Sequence, residues 1–152
     1  MESLSLKIKA ANQRLIAQGE HDAIEEFFSP DYVAHLTDQD LAGGHKLVRS
    51  LLDLYQRAFP LPKVQVEILI EGTDRISWQR TLRAKHQGAF KGFPASGHEI
   101  VWRDVVTSRF HDGVIVEEWV ISDLAERLLL SRKSPRPFEP GSQARRADGS
   151  VR

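Results

Sequence analysis

The stretch Arg75-Ile76-Ser77-Trp78-Gln79-Arg80-Thr81-Leu82-Arg83-Ala84-Lys85-His86 alternates with a period of two. Successive side chains on a β-strand point to opposite faces, so Ile76, Trp78, Arg80, Leu82, Ala84 and His86 share one face, and Ser77, Gln79, Thr81, Arg83 and Lys85 share the other. The second set is a solvent face. The first places a charge, Arg80, and an imidazole, His86, among apolar residues on the side that must meet the rest of the fold. Upstream, Val64, Val66, Ile68 and Ile70 alternate with Lys63, Gln65, Glu67 and Glu71, which predicts a partner strand joined through Gly72-Thr73-Asp74. Downstream, after a loop from Gln87 to Gly97, residues Glu99 to Phe110 and Val114 to Asp123 predict a long hairpin turning at His111-Asp112-Gly113.

The segment before these strands has a different period. Leu4, Ile8, Ala11 and Leu15 recur at steps of three and four, predicting a helix over 3–18 that stops at Gly19. A short helix is expected from Asp22 to Phe28, ended by Ser29-Pro30-Asp31, then a short strand from Tyr32 to Leu36 that carries His35. Leu47, Leu51, Leu54, Tyr55 and Ala58 predict a third helix from Gly44 to Pro60, and Asp123 to Ser131 a last turn or two. Helices followed by a run of antiparallel strands imply an α+β domain whose curved antiparallel sheet wraps N-terminal helices. One domain over 1–131 is expected, with a flexible basic tail over 132–152 that carries Pro135, Pro137, Pro140 and several arginines without periodicity.

Lys plus Arg (21) equals Asp plus Glu (21), so no overall field favours nucleic acid or an anionic membrane. There is no cysteine, which removes disulfides, thiolate nucleophiles and Cys-type zinc sites. The six histidines show no H-E-x-x-H or other close ligand spacing, and no glycine-rich phosphate loop occurs. No stretch nears the ~20 apolar residues needed to cross a bilayer. The expectations are no metal, no cofactor, no nucleic-acid or membrane partner, and a cytoplasmic location.

Arg80-Thr81, His86-Gln87-Gly88, Phe90, Gly92-Phe93-Pro94 and Ser96-Gly97 follow one another at a characteristic spacing. Behind them come Arg109-Phe110-His111-Asp112-Gly113-Val114-Ile115, then Glu117-Glu118-Trp119 and, four residues after the tryptophan, Asp123. With the helix end Ala58-Phe59-Pro60, this pattern from Gly44 to Asp123 resembles the SnoaL-like polyketide and ester cyclases of the NTF2-like superfamily. The sequence departs from that family at Glu118, where histidine is common, and in lacking a Gln-Leu-Gly ending to the helix after Asp123. The resemblance implies an NTF2-like cone with a deep pocket for an apolar carbonyl-bearing small molecule. It also implies a homodimer and a cofactor-free, acid/base-assisted intramolecular aldol-type closure. Because folds host many chemistries, a non-catalytic ligand-binding or dimerisation module, and a related isomerase or hydrolase, stand beside the cyclase reading.

By resemblance Asp123 is the general acid/base. Counted along an unbroken strand it shares parity with Ile115, Trp119 and Ile121, which predicts a carboxyl facing the pocket, where burial would raise its pKa. The competing reading makes it a helix cap. His35 either polarises a substrate carbonyl or is a partly buried histidine bonded to backbone. Arg80 either holds substrate or pairs internally with Asp104, Glu117 or Asp123, and His86 either joins it or closes the loop to Gly88. Arg109 occupies a substrate-contacting position by resemblance, while a cross-strand pair with Glu117 is its local reading. Trp102 and Trp119 are expected as binding residues, with Trp119 as pocket wall.

Overall fold

The computed structural model describes residues 3–133, and the expected tail lies outside the described residues beyond Lys133. Helix α1 (Leu4–Ala11) starts at Ser3, whose hydroxyl accepts the Leu6 N–H. It runs on as a π-helical segment over Asn12–Ala17, so the single helix expected over 3–18 changes its winding halfway. A 3-10 turn (His21–Ala23) and α2 (Ile24–Phe27) follow, then β1 (Phe28–His35), β2 (Asp40–Ala42), α3 (Gly44–Ala58), β3 (Lys63–Glu71), β4 (Arg75–Lys85), β5 (Glu99–His111), β6 (Val114–Ser122) and α4 (Leu124–Lys133).

The six strands form one open sheet in the order β2-β1-β6-β5-β4-β3. All pairs are antiparallel except β1 with β6, which run parallel. The expected α+β arrangement holds, with this one parallel pair added to the antiparallel sheet. β1 begins earlier than the residue pattern predicts and runs through Pro30, where its pairing with β6 breaks between Phe28 and Val33. A proline has no N–H to give to a ladder, which accounts for an interruption there. The β5–β6 hairpin closes through Asp112 and Gly113, both at positive φ, as a tight twisted turn requires. Gly44 is also compelled: at φ +60 a Cβ on it would lie 2.0 Å from the Pro30 carbonyl oxygen, so only glycine lets α3 begin against β1.

Two bulges decide which side chains face in. In β3, Leu69 is an extra residue between the Ile68 and Ile70 pairings, so Ile70, expected on the buried face, is exposed. In β6, Phe110 pairs with Ile115 and Arg109 with Glu117, leaving Val116 as the extra residue. One inserted residue reverses the parity of all that follows. The core then forms on the concave side in two adjoining clusters. One gathers Ile8, Leu15 and Ile24 of the helical segment onto Ile76, Trp78, Val106 and Ile115. The other gathers Phe59, Leu82, Phe90, Trp102 and Leu128. Each such fully buried side chain contributes about 1.5–3 kcal/mol.

Candidate active site

Between the helices and the concave sheet lies a cavity of about 140 Å³, lined mostly by apolar side chains. Its polar groups sit on neighbouring rows of the sheet, set by register: Arg80 pairs with Asp104 and Asp104 with Ser122, while Ile76 pairs with Ser108 and Ser108 with Glu118. Even positions of β4 and β5 and, after the bulge, even positions of β6 therefore share the concave face.

Glu118 lines the cavity and is 8 % exposed. Tyr32 donates its hydroxyl to one carboxyl oxygen at 2.7 Å and Ser108 donates to the other at 2.5 Å, while Ser108 accepts from the Trp78 indole N–H at 3.0 Å. Burial raises the Glu118 pKa, against the lowering influence of the Ser108 and Tyr32 hydrogen bonds and the Arg80 charge. Tyr32 is pushed well above the usual phenol range, first by burial and then by the charge of Glu118. A carboxyl so placed is a stronger base than one in water and re-donates the proton it takes.

Arg80 donates from Nε to Asp104 at 2.8 Å and from Nη1 to the Asn12 side-chain oxygen at 3.0 Å, with its guanidinium 5.3 Å from the Trp78 ring centroid. Asn12 is held in turn by donating from Nδ2 to the Ile8 carbonyl at the start of the π segment. The side chains of Arg80 and Asp104 are 20 % and 8 % exposed. Burial works against the Arg80 charge, but the Asp104 carboxylate outweighs it and leaves the arginine pKa raised. Tyr55, also on the wall, is pushed up to about 12 by burial and secondarily by Asp104. Among the partners weighed for Arg80 from the sequence, the structure selects Asp104.

Of the expected site residues, Arg80 and Trp102 line the cavity, and Trp102 packs its ring 4.8 Å from that of Phe59. The others lie elsewhere. Asp123 does not line the cavity: its carboxylate accepts the Arg103 N–H at 2.8 Å and the Arg127 Nε–H at 3.1 Å, tying β5 to the first turn of α4. The parity that pointed it inward assumed a regular β6, and the Val116 bulge reverses that parity. Trp119 falls on the convex face through the same reversal, and His35 lies opposite it because Tyr32 and Ala34 take the buried positions of β1. His35 pairs with Trp119 in the parallel ladder and stacks on it at 5.1 Å; it also contacts Asp40 at 2.9 Å and Glu117 at 2.7 Å. Arg109 pairs with Glu117 across the hairpin at 3.0 Å, again outside. His86 is buried, stacked 5.0 Å from Phe59 and bonded through Nδ1 to Ser96, so it closes the 87–97 loop, and burial lowers its pKa.

Glu118, Tyr32, Asn12 and His21 line the cavity without having been singled out by the residue pattern, and Ser108 stands behind Glu118. For Ser108 a signal existed, because it shares parity in β5 with Trp102, Asp104, Val106 and Phe110. For Glu118 the signal was its departure from the family's common histidine. Among the described residues no helix is long and apolar enough to cross a membrane.

The chain is similar in structure to AclR from Streptomyces galilaeus, a candidate hydroxylase, at 30 % identity over 95 % of this chain and 87 % of that one, with a TM-score of 0.65. It is similar to IdmH from Streptomyces antibioticus, a candidate polyketide cyclase, at 26 % identity over 85 % and 97 % of the two chains, with a TM-score of 0.70. A candidate polyketide cyclase from Acidithiobacillus ferrooxidans, at 17 % identity over 88 % and 99 %, has a TM-score of 0.75 and shares the fold. No curated protein matches. These likenesses agree with the NTF2-like α+β arrangement of helices in a curved sheet. The sequence pattern of the SnoaL-like polyketide cyclases matches residues 7–129, and the chain belongs to that family.

Proposed function

We propose that this chain is a cofactor-free cyclase that closes a ring in a polyketide-like, carbonyl-bearing apolar substrate by an intramolecular aldol-type step, with Glu118 as the acid/base. The observation that carries this reading is a buried carboxyl on the wall of an apolar cavity, its pKa raised by burial and both its oxygens oriented by hydroxyl donors. The ionised carboxylate takes a proton from the carbon next to a carbonyl, and the electron pair of that C–H bond becomes an enolate. The enolate carbon then bonds to a second carbonyl carbon of the same molecule, whose π electrons move to its oxygen. That alkoxide takes the proton back from Glu118, so the sum is an isomerisation and needs no co-reactant. Arg80 is already neutralised by Asp104, which favours a substrate without net charge. Arg80 and Trp102 serve as binding groups, and Asp123 as the clamp of the β6–α4 junction.

The test is product formation from a linear poly-β-ketone ester, followed by mass and NMR, with Glu118→Gln and Asp123→Asn side by side. Loss of turnover in Glu118→Gln alone is the expected result; loss in Asp123→Asn alone, in a protein that melts normally, would return the acid/base role to Asp123. A second reading, a ligand-binding module, draws support from the fact that both Glu118 oxygens already have protein partners. It predicts tight ligand binding and no turnover by the unaltered chain. We also propose a homodimer through the convex sheet face, where Val101, Val105 and Ile121 (64 % exposed) lie bare on β5 and β6. A monomer mass by light scattering would refute it.

A further inference from the structure

The helical side of the cavity carries a second titratable group that neither the family pattern nor the reading above uses. His21 opens the 3-10 turn His21–Ala23 and lines the cavity, with its side chain 14 % exposed. Its Nδ1 lies 3.0 Å from Asp53 Oδ1 on α3. The backbone around it is fixed: the His21 N–H donates to the Gly19 carbonyl at 3.0 Å, and the His21 carbonyl accepts from Arg49 at 3.3 Å. One ring nitrogen is thus committed to a carboxylate. Nε2 has no protein partner among the described residues, and it is not among the buried polar atoms that lack one. A carboxylate holding Nδ1–H orients the ring and leaves the far nitrogen for chemistry.

We propose that His21 is a second catalytic residue of this cavity: steadied by Asp53, its protonated ring donates from Nε2 to the substrate carbonyl oxygen and stabilises the negative charge that forms there when Glu118 removes the neighbouring proton. Asp53 is its positioning residue. The inference rests on the Glu118 reading and deepens it by requiring a substrate whose acidic C–H is next to a neutral carbonyl that reaches the helical wall. Enolate charge develops on oxygen, and a base on the sheet alone leaves that oxygen without a cationic donor, because Arg80 is already engaged with Asp104 and Asn12. Other charges near the ring are accounted for: Arg49 binds the His21 carbonyl and lies 3.7 Å from Asp22, and Glu20 pairs with Arg14.

The half-reaction is measurable without knowing the natural substrate. 2-Tetralone, a neutral bicyclic ketone with acidic α-protons, is incubated with the full chain in D2O and its α-proton exchange followed by NMR. Glu118→Gln is expected to bring exchange to the uncatalysed level. His21→Gln is expected to slow it about 10²-fold, the usual cost of losing one oxyanion donor. His21→Gln should lower kcat for exchange and leave the KM for 2-tetralone within a few-fold. Asp53→Asn keeps an acceptor for Nδ1–H but removes the charge that steadies the ring, so it is expected to lower kcat several-fold with KM unchanged. If Glu118→Gln abolishes exchange while His21→Gln and Asp53→Asn leave kcat and KM unchanged, the His21 assignment is overturned and the Glu118 reading stands. If the unaltered protein gives no Glu118-dependent exchange, both fall together.

Discussion

On the convex face of β6, Glu117 accepts hydrogen bonds from His35 and Arg109, and these partners, His35 foremost, hold its pKa below the usual carboxylate range. One residue along, on the concave face, Glu118 is enclosed with two hydroxyl donors and is pushed above that range by burial. The two glutamates share a backbone and differ only in the side of the sheet to which the strand delivers them. Exposure to water with cationic partners makes a carboxylate inert as a base; enclosure without a directly bonded cation makes it a proton carrier. The Arg109–Glu117 and Arg80–Asp104 pairs repeat the contrast, since each joins an arginine to a carboxylate across adjacent strands, one outside and one in the cavity wall.

That contrast breaks if the two glutamates prove interchangeable. Glu118→Gln is expected to lower ring closure by about 10²–10⁴-fold, the usual contribution of a positioned acid/base, with Glu117→Gln within a few-fold of the unaltered protein. Equal losses in the two variants would show that enclosure is irrelevant. The arginine pair gives the next largest effect, on stability. Arg80→Met leaves Asp104 enclosed without its cation and is expected to cost about 3–5 kcal/mol in urea unfolding. Arg109→Met on the convex face should cost about 0–1 kcal/mol. Restoring stability to Arg80→Met by adding Asp104→Leu would confirm that the stranded charge, and not lost packing of the arginine stem, causes the loss.

How much of this was legible in the sequence follows the strands' regularity. β4 has no bulge, so its period-two pattern placed Ile76, Trp78, Arg80, Leu82 and Ala84 on the concave face correctly, and with Arg80 came one group of the cavity wall. β6 was read with the same arithmetic, but Val116 adds a residue that no glycine or proline announces, so every position from Glu117 onward changed sides. Asp123 and Trp119 were expected inside for that reason, and Glu118 was passed over. The helix pattern over 3–18 gave the element but not its π winding, which begins at Asn12, bonded both to Ile8 within the helix and to Arg80 on the sheet. His21 lacked any local signature, because its partner Asp53 is 32 residues away and only packing of the 3-10 turn against α3 brings them together.

The smallest expected effects concern pH, and there the two faces should carry the same sign in different windows. Glu118 has a raised pKa in the folded state, so folded protein binds more protons than unfolded as pH climbs from the ordinary 4.5 through the raised value. Stability attributable to this residue therefore falls across that window, and Glu118→Gln should gain on the unaltered protein as pH rises through it. His35 also has a raised pKa, from Glu117 first and then Asp40, so its contribution is fully present below 6.5 and is lost as pH rises through the folded value. His35→Gln should accordingly melt below the unaltered protein in mildly acidic buffer and level with it in alkaline buffer. The shifts would be modest, because the ring is partly exposed and screened by salt. Melting curves across pH 4–9 would show Glu118→Gln gaining on the unaltered protein as pH rises above 4.5 and His35→Gln closing its deficit only above 6.5. A Glu118→Gln difference that stays constant with pH would mean that Glu118 is ionised at no cost in the folded chain, and the distinction between enclosed and exposed carboxylates on β6 would not survive.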